Sequence, residues 1–122
     1  MFKVLNITKR IDFSSANVEA LSELSNKLGD TLIKAGFGSY VDYLSQIRLA
    51  AGKHDEETFK KLIVSRELFG GSGALWEIWI EDKQYKAQFN KQFCDFIDLL
   101  KQMGIRNKRI NQVRSFFENG SA

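Results

Sequence analysis

The chain has no proline, and its 122 residues include one cysteine, one histidine and two tryptophans. A single cysteine, Cys94, can close no internal bridge, which excludes the disulfide-stapled class and favours a reducing compartment such as the cytoplasm. His54 and Cys94 stand 40 residues apart, with no CxxC or HxxxH spacing, so neither a zinc site nor a haem site is expected. Long apolar runs are missing too. Charge recurs too often for a membrane span, and Met1-Phe2-Lys3-Val4-Leu5-Asn6-Ile7 has neither the apolar core nor the small-residue cleavage site of a secretion signal. The expectation is a soluble cytoplasmic protein with no metal, no cofactor and no membrane contact.

What is present suits one globular domain over residues 1–122: 43% of residues are hydrophobic and 27% charged. A chain of this length buries roughly two thirds of its unfolded surface and needs no staple. With proline absent, glycine must supply the turns, as in helical proteins. The net charge of +3 is unevenly spread. Residues 54–82 carry three Lys/Arg against seven Asp/Glu, and residues 83–122 carry eight against three. Such polarity can steer a charged partner.

Hydrophobic spacing predicts an all-α fold, a compact bundle of five or six helices. Val18, Leu21, Leu24, Leu28 and Leu32 recur at steps of three and four, a helical stripe capped by Ser14 or Ser15. Gly29 offers a kink in it, and Gly36 or Gly38 ends it. A second helix is predicted from a Ser39 cap through Val41, Leu44 and Ile47 to Ala51, with Gly52 just past its end. A third starts at Asp55, has Glu56 and Glu57 at the positive end of its dipole, and carries Phe59, Leu62, Ile63 and Phe69. A Gly-rich turn at 70–73 follows. In 74–80 the alternation of Trp76, Ile78 and Ile80 suits a strand, while Leu75, Ile78, Trp79 and Asp82 share one helical face; with no certain partner strand, helix is preferred. The strongest stripe, Tyr85, Phe89, Phe93, Phe96, Ile97, Leu100 and Met103, marks a helix over 84–103 closed by Gly104. Asn107 caps a last helix that turns Ile110, Val113, Phe116 and Phe117 inward. The first seven residues are too short for periodicity to separate a strand from an extended arm.

No catalytic constellation stands out. His54 reads as a solvated residue at a helix start, and Cys94 as a small hydrophobe at the core's edge. The glycine turn follows a helix rather than a strand and is completed by no Lys-Ser/Thr, so it is a chain reversal rather than a phosphate cradle. Glu77 and Glu81 share a face at helical spacing, as solvated acids often do. Lys101, Arg106, Lys108, Arg109 and Arg114 form a basic end suited to nucleic acid phosphates. They alternate with Ile105, Ile110 and Val113, however, as on the wet side of an amphipathic helix, so nucleic acid is the second choice of partner. No enzyme activity is expected.

At Gly70-Gly71-Ser72-Gly73-Ala74-Leu75-Trp76-Glu77-Ile78 the chain resembles a family of small bacterial helical domains whose signature reads Gly-Gly-Met-Gly-Ser-Phe/Leu-Asn-Asp-Leu/Val. The resemblance extends upstream through the aromatic Tyr40-Val41-Asp42-Tyr43-Leu44, the Gly52-Lys53 turn and the helix from Phe59 to Phe69, about forty residues in all. Trp76-Glu77 replaces the family's Asn-Asp, keeping an acid and losing the amide. Some members look like immunity proteins encoded beside secreted toxins. The resemblance therefore implies a protein that neutralises a cognate toxin by direct contact. Aromatic anchors inside a polar rim characterise such interfaces. Trp76, Glu77, Trp79, Glu81, Asp82 and Tyr85 supply that mixture and are the candidate partner-binding residues. One helical step of three sets Trp76 and Trp79 about 60° apart. One is expected inside and the other partly exposed.

Overall fold

The structure, a computed structural model, describes residues 10–71 and 73–119. The N-terminal arm expected at residues 1–7 and Ser72 of the glycine turn lie outside them. Among the described residues every regular element is helical: α1 (Ser15–Lys34), α2 (Val41–Gly52), α3 (Glu56–Ile63), the single-turn α4 (Arg66–Phe69), α5 (Lys83–Met103) and α6 (Lys108–Asn119). Short 3-10 turns occupy Gly38–Tyr40 and Leu75–Glu77. No helix among them is long and apolar enough to cross a membrane.

The starts of these helices follow local chemistry. The Ser14 hydroxyl accepts from Asn17 N–H, Asp55 from Thr58 N–H, Asp82 from Tyr85 N–H and Asn107 from Ile110 N–H. Each of these bonds satisfies a backbone donor that has no partner inside its helix. Three ends share one geometry. The residue just past the cap of α1 and α2 (Gly36, φ 91°; His54, φ 57°) and the cap of α5 itself (Gly104, φ 117°) are left-handed, and the next N–H reaches back to Leu32, Ala50 or Leu100. This is the Schellman closure. Gly52 is thus the last residue of α2 rather than the residue beyond it, and the left-handed position falls on His54. The exposed His54 ring stacks on Phe13, with centroids 5.5 Å apart.

Two further expectations fail, one for a local reason and one for a tertiary reason. Ser39 caps nothing, because Gly38–Tyr40 forms a 3-10 turn that leads directly into α2. The predicted third helix stops at Ile63 and restarts at Arg66. The Tyr43 hydroxyl of α2 donates to the Leu62 carbonyl at 2.6 Å, and the Ser65 hydroxyl donates to the same oxygen at 2.9 Å. The two hydroxyls also touch each other. A carbonyl satisfied in this way needs no helical continuation. Gly29 does not interrupt α1, which runs unbroken past it.

α1 packs on α2 and α5, α3 on α2, and α6 on α5. The start of α1 lies against the end of α5, where Gln102 donates to Asn17 Oδ1 at 2.9 Å and Asp12 N–H donates to the Met103 carbonyl at 2.8 Å. Leu21, Leu28 and Leu32 of α1 and Phe93, Phe96, Ile97 and Leu100 of α5 are fully buried. Phe93 sits at the centre of an aromatic cluster, its centroid 5.3–6.2 Å from those of Phe69, Phe89, Phe96 and Phe117. The spine read from the stripe at 85–103 is therefore the spine of the core.

Candidate functional site

Between α4 and α5 the described residues 70–71 and 73–82 form a strap, and its 74–80 segment is neither the preferred helix nor the alternative strand. One 3-10 turn at Leu75–Glu77 gives way to extended backbone at Ile78 (φ −65°, ψ 151°). The reason lies in where its polar groups find partners. The Gly70 carbonyl accepts from the Trp76 indole N–H at 2.7 Å and from Arg109 Nη2 at 3.2 Å, and the Phe69 carbonyl accepts from Arg109 Nε at 2.8 Å. The Tyr40 hydroxyl donates to the Gly73 carbonyl at 2.7 Å. Side chains from α6, from the turn before α2 and from the strap itself thus stand in for a helical ladder. Glycine is obligatory at 70: a Cβ there would lie 2.7 Å from both Cα and the carbonyl oxygen of Arg66. Leu75 and Ile80 anchor the strap in the core.

The strap, α5 and α6 enclose a cleft of about 450 Å³. Ile80, Phe89 and Phe117 are its buried apolar residues. Trp76 is partly buried, edge-on to Phe116 at 5.4 Å, with the Arg109 guanidinium 5.3 Å from its ring centre. Trp79 is 66% exposed, its ring lying 3.9 Å beneath Lys86 Nζ. Phe116 is 50% exposed, against the inward position expected of it.

Of the six candidate partner-binding residues, Trp76, Glu77 and Trp79 line the cleft; Glu81, Asp82 and Tyr85 do not. Trp76 and Asp82 hold structural posts, one bracing the glycine turn and the other capping α5. Tyr85 packs partly buried against the core, while Glu77 and Glu81 are exposed. Phe116, Lys86 and Asn90 line the cleft without having been singled out from sequence. A signal for Phe116 did exist, since adjacent residues of a helix point about 100° apart and Phe116 and Phe117 cannot both face one core.

The basic end is largely occupied within the fold. Arg109 serves the glycine turn, and Arg114 forms a two-pronged pair with Asp98 at 3.0 and 3.2 Å. Arg106 donates to the carbonyls of Lys101 and Ile105. Cys94 is half-buried, and burial pushes its thiol pKa up, which disfavours the reactive thiolate. Among the described residues no three His, Cys, Asp or Glu side chains gather as metal ligands, and His54 lies outside the cleft.

The chain gives no significant match to any protein-family model, curated protein or solved structure. The walls of the cleft are mainly aromatic and aliphatic, with Glu77, Lys86 and Asn90 as its polar lining residues.

Proposed function

We propose that this protein acts by binding another protein, as an immunity protein that neutralises a cognate bacterial toxin in the cytoplasm. The observation that carries this reading is Trp79, held 66% exposed at a preformed apolar cleft beside half-exposed Phe116. Leaving two large rings in water forgoes burial energy, and isolated domains rarely concentrate such rings at a cleft without a use. Tryptophan is the commonest hot-spot residue of protein interfaces, and Glu77, Glu81 and Lys86 provide the polar rim around it. The resemblance in the glycine-turn segment supports the toxin as partner, and inhibition by surface complementarity needs no catalytic group.

The rival reading, a nucleic-acid-associated regulator, loses support because Arg106, Arg109 and Arg114 already have partners within the fold. The test is co-expression with the toxin encoded beside its gene. Restored growth and a complex that co-purifies are expected for the wild type, with Trp79→Ala losing both. Protection by neither protein rules the proposal out.

A further inference from the structure

Three unexplained features meet between α1 and α2, in a notch of about 320 Å³ that shares no lining residue with the aromatic cleft. The Ser25 hydroxyl is buried, with its residue only 4% exposed, and has no hydrogen-bond partner. Arg48 Nε is likewise buried and unpartnered, and the guanidinium makes a single bond, from Nη2 to Ser45 Oγ at 3.3 Å. Gly29 sits in the middle of α1, where glycine weakens a helix, although a Cβ there would meet nothing closer than Val41 at 3.7 Å. Packing does not demand the glycine; its effect is to leave the notch open.

Buried polar groups without partners are rare in folded proteins and mark places where something else completes the bonding. Here the lining has a definite chemistry. Arg48 offers a planar fork, the geometry that pairs with a carboxylate, and Ser25 adds a hydroxyl. Asp30 supplies an exposed carboxylate that forms no ion pair among the described residues. One cation and one anion make the lining neutral overall, which disfavours a multiply charged phosphate and matches a zwitterion. Ile33, 57% exposed, adds an apolar wall.

We propose that this notch binds a free α-amino acid with an aliphatic side chain, its carboxylate on Arg48 and Ser25, its ammonium on Asp30, and its side chain in the space left by Gly29. The volume falls within the lower range of small-molecule sites.

Calorimetric titration of the full chain tests this with three probes: L-leucine, 4-methylpentanoate, which lacks the ammonium, and isoamylamine, which lacks the carboxylate. L-leucine should saturate one site, and each truncated analogue should bind at least tenfold more weakly. Arg48→Met should abolish leucine binding, and Gly29→Val should do the same by filling the notch. Asp30→Asn, an exposed change that leaves folding intact even should Arg48→Met not fold, should weaken leucine at least tenfold without weakening 4-methylpentanoate. Absence of saturable leucine binding at millimolar concentration overturns the proposal. So does equal affinity for the analogues, or leucine affinity indifferent to Asp30→Asn.

Discussion

Helix α5 and the strap at 70–82 are both rich in aromatic rings but hold them in opposite ways. In α5 the backbone satisfies itself, and Phe89, Phe93 and Phe96 are committed to the core. The strap has no such ladder. It is held by short backbone turns, by side-chain donors from Tyr40, Trp76 and Arg109 on its carbonyls and by buried Leu75 and Ile80, and so leaves Trp79 in solvent without opening the core. The first region buries its rings in the core, and the second leaves the Trp79 ring in solvent.

That division makes graded demands on mutants. Phe93→Ala, at the centre of the cluster, should cost about 3–5 kcal/mol in denaturant unfolding. A loss below 1 kcal/mol would mean that α5 is not the spine. Gly70→Ala should cost about 1–3 kcal/mol, because the new Cβ forces backbone apart at Arg66. Trp76→Phe removes one donor while Arg109 still serves the same carbonyl, so about 1 kcal/mol is expected from thermal melts. Trp79→Ala should change stability by no more than about 0.5 kcal/mol.

A control lies outside both regions, at the start of α3. Hydrogen bonding from Thr58 holds the Asp55 carboxyl below its ordinary pKa, and Lys60 chiefly does the same for Glu56. Because the folded-state values are the lower ones, this stabilisation is complete above the unfolded value of about 4 and is lost as pH falls through the folded values. Acid melts should therefore show falling stability below about pH 4, with a shallower fall in Asp55→Asn, which keeps the cap.

The elements that local chemistry dictates were legible: the caps at Ser14, Asp55 and Asn107, the closure at Gly104, and the aromatic stripe of α5. What escaped the sequence was tertiary. The break at Val64 and Ser65 depends on a tyrosine hydroxyl 19 residues upstream of the Leu62 carbonyl it bonds. The strap's shape depends on Arg109, which reaches 39 residues back to the Gly70 carbonyl. Within the cleft, the sequence implied that one of Trp76 and Trp79 would be exposed without saying which, and Phe116, Lys86 and Asn90 come from two other elements that only the fold brings to the strap. The notch between α1 and α2 was invisible for the same reason, since Ser25 and Arg48 become neighbours only when their helices pack.

The central claim is that the strap displays Trp79 for a protein partner. Its most direct test is the affinity of the wild type and of Trp79→Ala for the toxin partner proposed above, measured by calorimetry on samples with matching melting temperatures. The account requires tight binding by the wild type and at least a tenfold loss in the mutant, the effect of removing a hot-spot residue of about 2 kcal/mol. Equal affinity in the two proteins would contradict it.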